Sequence, residues 1–172
     1  VRILLQDISK TPEKVFLDLP EEKTSIQYFD RIEKILGEEF SSNCVKLDSE
    51  KDDLSVFGYA SLPTYSHGSS TNQYFFVNGR SVKDKFLLGA LRAAYLDFIS
   101  KDRFPAAVIY IKCNPSYVDV NVHPMKSEVR FQCPKDVRSL IIKSIKDSLI
   151  KTGLQSNSVI TSRTLNSFYY KN

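Results

Sequence analysis

The side chains best equipped for chemistry in this sequence are cations placed beside sharp changes of chain direction. Asn78-Gly79 predicts a tight hairpin turn, because both residues tolerate positive φ, so Arg80 emerges just beyond a fixed bend. Lys83 and Lys85 follow at once, and Lys101 and Arg103 come after the next helical pattern. Further along, Pro124 cannot donate a ladder hydrogen bond and breaks the strand that precedes it. Met125, Lys126 and Ser127 are thereby left on a short connection with strand pattern on both sides. Guanidinium and ammonium groups in such places suit contact with phosphates, where cations gain affinity by releasing condensed counterions.

Other chemistries find little support. The six glycines never fall as G-x-G or G-x-x-x-x-G-K, so no loop for enclosing nucleotide phosphates is recognisable, and a self-sufficient ATPase is not expected. There is no G-x-S-x-G and no H-E-x-x-H, and neither His67 nor His123 has an obvious nucleophile beside it in sequence. Cys113, His123 and Cys133 are each ten residues apart, a spacing that matches no familiar zinc pattern, so no metal site is expected.

The elements that must hold these cations follow from periodicity. Val1–Gln6 and Lys14–Leu19 read as a strand pair, and Thr24–Leu36 as an amphipathic helix through Ile26, Phe29, Ile32, Ile35 and Leu36 that ends near Gly37. Cys44–Leu47 and Leu54–Leu62 are predicted strands, joined by a turn over Ser49–Asp53, and residues 63–72 form a polar loop. Gln73–Val77 is a β-prone aromatic run. Lys83–Ser100 carries a helical apolar stripe through Leu87, Ala90, Leu91, Ala94 and Phe98. Lys83 and Lys85 would then oppose the helix dipole, a cost of roughly a few tenths of a kcal/mol that something else must offset. Phe104–Cys113 is a nearly continuous apolar run, the pattern of a central strand covered on both faces. Tyr117–Val122 alternates strictly, Glu128–Phe131 resumes the sheet, and a C-terminal helix from Pro134 is expected to stop at Gly153. A Ser/Thr/Asn-rich tail follows. The fold class is therefore α+β, a mixed β-sheet with helices packed on it.

Composition sets the outer bounds. With 172 residues, 42% hydrophobic and 26% charged, the chain can build a core without staples, and three cysteines suit a reducing compartment. No run of 18 apolar residues and no signal-peptide pattern occurs, so a cytoplasmic protein without a membrane partner is expected. Charge is distributed unevenly. Residues 1–63 hold 8 Lys and Arg against 13 Asp and Glu, whereas residues 64–172 hold 16 against 7. A net of −5 in one part and +9 in the other gives a polarity that could orient the chain on a polyanion.

Two strings carry a resemblance: VNGR at Val77–Arg80 and DVNVHPMKSEVRF at Asp119–Phe131. Both match motifs of the DNA mismatch repair MutL family and its eukaryotic relatives, in the family's order. The likeness spans roughly residues 1–152 and is strongest over 73–133. It implies a transducer domain over 1–152, with 153–172 beginning a flexible linker. The implied fold is similar to the second domain of a small-subunit ribosomal protein and to the transducer domain of gyrase-type GHKL ATPases.

The resemblance also implies roles. Lys126 matches the family lysine that contacts the γ-phosphate of ATP held by an upstream GHKL domain, making it the catalytic and cofactor-binding residue of this piece. Arg80, Lys83 and Lys85, extended by Lys101 and Arg103, resemble the basic cluster of the family's DNA-binding groove, with Lys85 where a relative carries Arg. His123 and Pro124 read as structural. The implied full-length protein is an ATPase using ATP and Mg, homodimeric, bacterial and nucleoid-associated. Its expected partners are double- or single-stranded DNA and the mismatch-recognition protein MutS. This piece alone is expected to be non-enzymatic and to bind no cofactor or metal. Two other readings share the fold: an RNA-binding or ribosome-associated module, and a type II topoisomerase transducer.

Overall fold

A computed structural model describes residues 3–7, 14–19, 25–120 and 128–169, with side chains described over 28–120 and 128–153. The chain divides into two units, Val1–Ser42 and Asn43–Asn172. In the first, β1 (Ile3–Asp7) and β2 (Lys14–Leu19) form an antiparallel pair whose register shifts between Leu5 and Gln6. The helix α1 (Ser25–Leu36) stops where expected. Gly37 takes φ +92°, a left-handed conformation that glycine adopts without steric cost, and its N–H closes on Glu33 O at 2.7 Å. The short α2 (Glu38–Ser42) then begins, held by Ser41 Oγ donating to Glu33 Oε1 at 2.8 Å.

The second unit is built on a five-stranded mixed sheet. In chain order its elements are β3 (Cys44–Lys51), β4 (Leu54–Ser61), β5 (Ser66–His67), β6 (Gln73–Val77), β7 (Arg80–Val82) and α3 (Lys85–Ala94). There follow β8 (Phe104–Pro105), β9 (Ala107–Lys112), a 3₁₀ turn at Pro115–Tyr117, β10 (Val118–Asp119), β11 (Arg130–Phe131) and α4 (Pro134–Tyr169). The sheet order is β3-β4-β9-β6-β7, with β6 and β9 parallel and the other neighbours antiparallel. The apolar run ending at Cys113 thus becomes the central strand: Ala107, Val108, Ile109 and Ile111 of β9 are all buried.

Period-two alternation sorts the two faces of this sheet. Val45, Leu47, Val56, Ala60, Phe75, Val77, Ile109 and Ile111 point into one core with Leu87, Ala90, Leu91 and Ala94 of α3 and Val137, Leu140, Ile141, Ile145 and Leu149 of α4. The opposite face carries a ladder of stacked rings. Tyr110 lies 5.2 Å from Phe57 and 4.9 Å from Phe76, and Lys112 sits over Phe57 at 5.3 Å. Gly58 permits the close pairing of β4 with β9. It adopts φ +134°, and a Cβ there would lie 2.1 Å from Val108 O.

Several boundaries differ from expectation. The β3–β4 turn contracts to Asp52 and Asp53, with Asp52 at φ +52°, because pairing continues out to Lys51 and Leu54. The α3 helix is shorter at both ends than Lys83–Ser100. Asp84 is its N-cap, so Lys83 lies outside it, and the chain leaves the helix at Tyr95, whose buried hydroxyl donates to Ser61 O at 2.5 Å. Phe98 continues the apolar stripe but lies in a turn, its N–H bonded to Tyr95 O. Finally, α4 does not stop at Gly153. That glycine has no positive φ and is therefore no left-handed cap. Glycine in a helix interior costs only about 1 kcal/mol, and no proline follows before Tyr169.

Candidate functional site

The positions from Asn78 to Leu87 form one continuous device. Asn78 and Gly79 take φ +48° and +81°, giving the tight turn that their types predict. The turn is fixed to the end of the central strand by three contacts. Asn78 N–H donates to Ile111 O at 2.9 Å, Cys113 N–H donates to Asn78 Oδ1 at 3.0 Å, and Asn78 Nδ2 lies 3.8 Å from Cys113 Sγ. Burial of Cys113 raises its thiol pKa.

Beyond this turn the chain is extended, and exposure alternates. Ser81, Lys83 and Lys85 are exposed while Val82 and Asp84 are buried, and Arg80 is exposed beside the turn itself. Hence Arg80, Lys83 and Lys85 fall within six residues at the β7 edge of the sheet, all of them exposed. None has an ion-pair partner among the described residues.

Asp84 was not singled out by its charge or motif, yet it organises this edge. It is only 7% exposed. Its Oδ1 accepts from Phe86 N–H at 2.8 Å and from Leu87 N–H at 3.2 Å, satisfying two donors at the start of α3. Its Oδ2 accepts from Val129 N–H at 3.3 Å, in the segment that leads into β11. The carboxylate at the N-cap also offsets the unfavourable position of Lys85 in the first turn. An aspartate directly before an apolar-periodic run is an N-cap signal that sequence could have supplied. The bond to Val129, 45 residues away, has no such signal. Around it lies a cleft of about 220 Å³ lined by Asp84, Phe86, Glu128, Val129, Arg130 and Phe131, with the Phe86 and Phe131 rings 6.2 Å apart.

Lys101 and Arg103 are placed elsewhere. They follow the C-terminus of α3, about 15 Å along the helix axis from Lys85 at 1.5 Å per residue. Arg103 is engaged within the fold, donating to Ser66 O and, at 3.2 Å, to Ser66 Oγ. Arg92 donates to Arg103 O at 2.6 Å and to Lys101 O, and lies 5.0 Å over the Phe104 ring. This end of α3 is a loop clamp, and the structure does not bring it together with the Arg80–Lys85 edge.

Lys126, His123 and Pro124 lie outside the described residues. The strands that flank them are described: β10 pairs with β11 through Val118–Phe131 and Asp119–Arg130, and the described strands differ from the expected bounds, since Tyr117 closes the 3₁₀ turn before β10 and Glu128 and Val129 precede β11. Cys113 and Cys133 share a second cavity of about 250 Å³ with Leu54, Tyr117, Phe131 and Val137, at whose edge Lys51 and Asp136 pair at 2.9 Å. Among the described residues no three His, Cys, Asp or Glu side chains converge, so no ligand set for magnesium or zinc is built from them. No helix among them is long and apolar enough to cross a membrane.

Comparison with known proteins gives consistent matches. Residues 32–150 match the family described as DNA mismatch repair protein, C-terminal domain. The chain is 45% identical over 138 residues to the DNA mismatch repair protein MutL of Phenylobacterium zucineum, a stretch covering 80% of this chain and 22% of that protein. It is 39% identical over 168 residues to the MutL of Bartonella tribocorum, covering 98% of this chain and 27% of that protein. The chain thus spans about a quarter of the length of such relatives. In fold it is similar to a solved N-terminal domain of a DNA repair protein, with TM-score 0.68 and 20% identity over 90% of this chain and 49% of that one.

Proposed function

From the premise that this chain belongs to the DNA mismatch repair protein family of MutL, we propose that it is the transducer of such a protein. It would couple the nucleotide state of an upstream GHKL ATPase domain to dimerisation and to sequence-independent DNA binding. The observation that carries this reading is that the family match over residues 32–150 embraces both the exposed Arg80, Lys83 and Lys85 and the HPMK string.

Lys126 would contact the γ-phosphate of ATP. An ammonium group can form a charge-assisted hydrogen bond to a terminal phosphate, worth about 1.5–3 kcal/mol. Hydrolysis removes that contact from one state and not the other, and only such differential contacts shift a conformational equilibrium. ATP and Mg would be held by the upstream domain, since the described residues supply neither a phosphate loop nor a magnesium ligand set. The exposed cations would meet DNA phosphates and leave the bases unread. In this reading Arg80, Lys83 and Lys85 form the principal DNA contact, and Lys101 extends it from the far end of α3. Arg103 serves the fold more than the phosphate contact, because its guanidinium is committed to Ser66. The whole protein would act as a bacterial homodimer at the nucleoid with MutS as partner, and this segment alone would not hydrolyse ATP.

The test is DNA affinity of the whole protein with and without a non-hydrolysable ATP analogue. The wild-type protein should change affinity on binding the analogue, and Lys126→Ala should lose that response while retaining nucleotide-free DNA binding. An equal response in both proteins contradicts the proposal.

A further inference from the structure

The helices α3 and α4 pack side by side and run in the same direction. Just beyond α3, Asp97 Oδ2 pairs with Lys146 Nζ at 2.7 Å, across a separation of 49 residues. Two turns earlier the same offset brings Arg138 to Gly89. Its Nη1 lies 3.9 Å from the place a Cβ on Gly89 would occupy, and it is the nearest neighbour of that place outside the helix backbone. Lys85 stands one turn before Gly89 on the same face of α3. At 1.5 Å per residue, it is about 6 Å along the axis from the point where the Arg138 guanidinium rests. The absent side chain at Gly89 leaves that point open to the arginine.

The fold compensates neither of these cations. Lys85 and Arg138 are both exposed, and neither has an ion-pair partner among the described residues. One turn from Arg138 on its own helix stand Pro134, Lys135, Ile141 and Ile142, so no carboxylate there neutralises it. The acids that lie near are already committed. Asp84 accepts from the N–H groups of Phe86, Leu87 and Val129, Asp136 pairs with Lys51, and Asp97 pairs with Lys146. Glu128 lies with Arg130 on the wall of the adjoining cleft. Arg92 and Arg103, by contrast, are spent on backbone carbonyls at the far end of α3. Like charges gathered on adjacent turns repel, and an anion set between them relieves that repulsion.

We propose that Lys85 and Arg138 form a two-cation clamp for the backbone phosphates of DNA, astride the seam between α3 and α4. This rests on the DNA-contact reading above and extends its surface from the β7 edge onto α4. The two groups divide the work by their chemistry. Lys85 supplies a compact point charge, whereas the planar guanidinium of Arg138 presents paired N–H donors that match two phosphate oxygens. That guanidinium already rests against α3, so less side-chain freedom is lost when DNA arrives. A duplex offers one negative charge per about 1.7 Å of its axis, so cations about 6 Å apart meet the same or neighbouring phosphates.

The salt dependence of duplex affinity in the whole protein tests the clamp, since a role confined to packing would not move it. Arg138→Gln should lower the slope of log K against log salt by about 0.9, so the wild-type advantage shrinks about 3.5-fold between 50 and 200 mM salt. Arg138→Lys should keep the wild-type slope, because the charge remains. Gly89→Glu leaves both cations in place but sets a carboxylate beside Arg138 and one turn from Lys85, and it favours the helix over glycine. It should lower the slope at least as much as Arg138→Gln does. A wild-type slope in Arg138→Gln overturns the clamp, and so does a slope lost equally in Arg138→Lys. Should Arg138→Gln fail to fold, Gly89→Glu decides by the same criterion. Joint replacement of Arg80 and Lys83 by Gln separates this proposal from the reading beneath it. If that pair flattens the slope and Arg138→Gln does not, the clamp alone falls; if the wild-type slope persists in both, the DNA-contact reading falls with it.

Discussion

Replacing Arg80, Lys83 and Lys85 together by Gln in the whole protein should flatten the salt dependence of DNA binding by an amount that can be worked out beforehand. All three side chains are exposed, so each can meet one phosphate. Each such contact to a duplex contributes about 0.9 to the slope of log K against log salt, so three contribute about 2.7. Between 50 and 200 mM salt, a fourfold change, the advantage of wild type over the triple variant should therefore shrink about 40-fold, and over each single variant about 3.5-fold. Stability should hardly change, since exposed substitutions usually stay within about 0.5 kcal/mol. Lys85→Gln even removes a cation from the first turn of α3. The assay is fluorescence anisotropy with a labelled duplex of arbitrary sequence across a salt series, repeated with a second sequence. Equal slopes for wild type and triple variant would refute the assignment of this edge to DNA phosphates. A loss confined to one of the two sequences would refute the claim that bases go unread.

Three further outcomes test the frame that holds this edge. Gly58→Ala should destabilise by about 3 kcal/mol or more in urea melts, because the residue has φ +134° and its Cβ would meet Val108 O at 2.1 Å; a loss below about 1 kcal/mol would contradict that geometry. Asn78→Gly should keep the turn's positive φ but lose the bond from Cys113 N–H, costing about 1 kcal/mol, and Asn78→Ala should cost more because it adds backbone strain; equal losses would show that the φ at Asn78 is immaterial. Tyr95→Phe should cost about 1–3 kcal/mol by leaving Ser61 O without its buried donor. Burial also raises the Tyr95 phenol pKa above its ordinary value. Its stabilisation is therefore complete below about pH 10 and is lost as pH rises above that, so the Phe variant should show a shallower alkaline decline in melting temperature.

How much of this was legible in the sequence depended on how local the physics was. Asn78-Gly79, the stop at Gly37 and the burial of Ala107, Val108, Ile109 and Ile111 each follow from a few adjacent residues and appear as expected, whereas Tyr110 in the same run is only half-buried. The ends of α3 were harder, because they are set by partners distant in sequence. Asp84 is drawn in by Val129, and Tyr95 is drawn out of the helix by Ser61, although the apolar spacing continues to Phe98. Gly153 shows the converse: a strong local stop signal costs too little to end a helix on its own. For the candidate site, the types and exposure of Arg80, Lys83 and Lys85 were readable, and so was their proximity. The far placement of Lys101 and Arg103 depended on helix length and on the Ser66 contact, neither of which composition or periodicity contains. The meeting of Cys113 with Cys133 in one cavity, like that of Asp84 with Val129, is a product of topology alone.

The central claim is that a lysine in this segment reads the terminal phosphate of a nucleotide bound by the neighbouring domain. Steady-state ATP hydrolysis by the whole protein carrying Lys126→Ala tests it most directly, with Lys126→Arg as the charge-preserving control. Loss of a charge-assisted bond of about 1.5–3 kcal/mol predicts turnover reduced by roughly 10- to 150-fold in the alanine variant, with the arginine variant in between. Hydrolysis at the wild-type rate in Lys126→Ala would contradict the account, leaving this lysine a part of the scaffold.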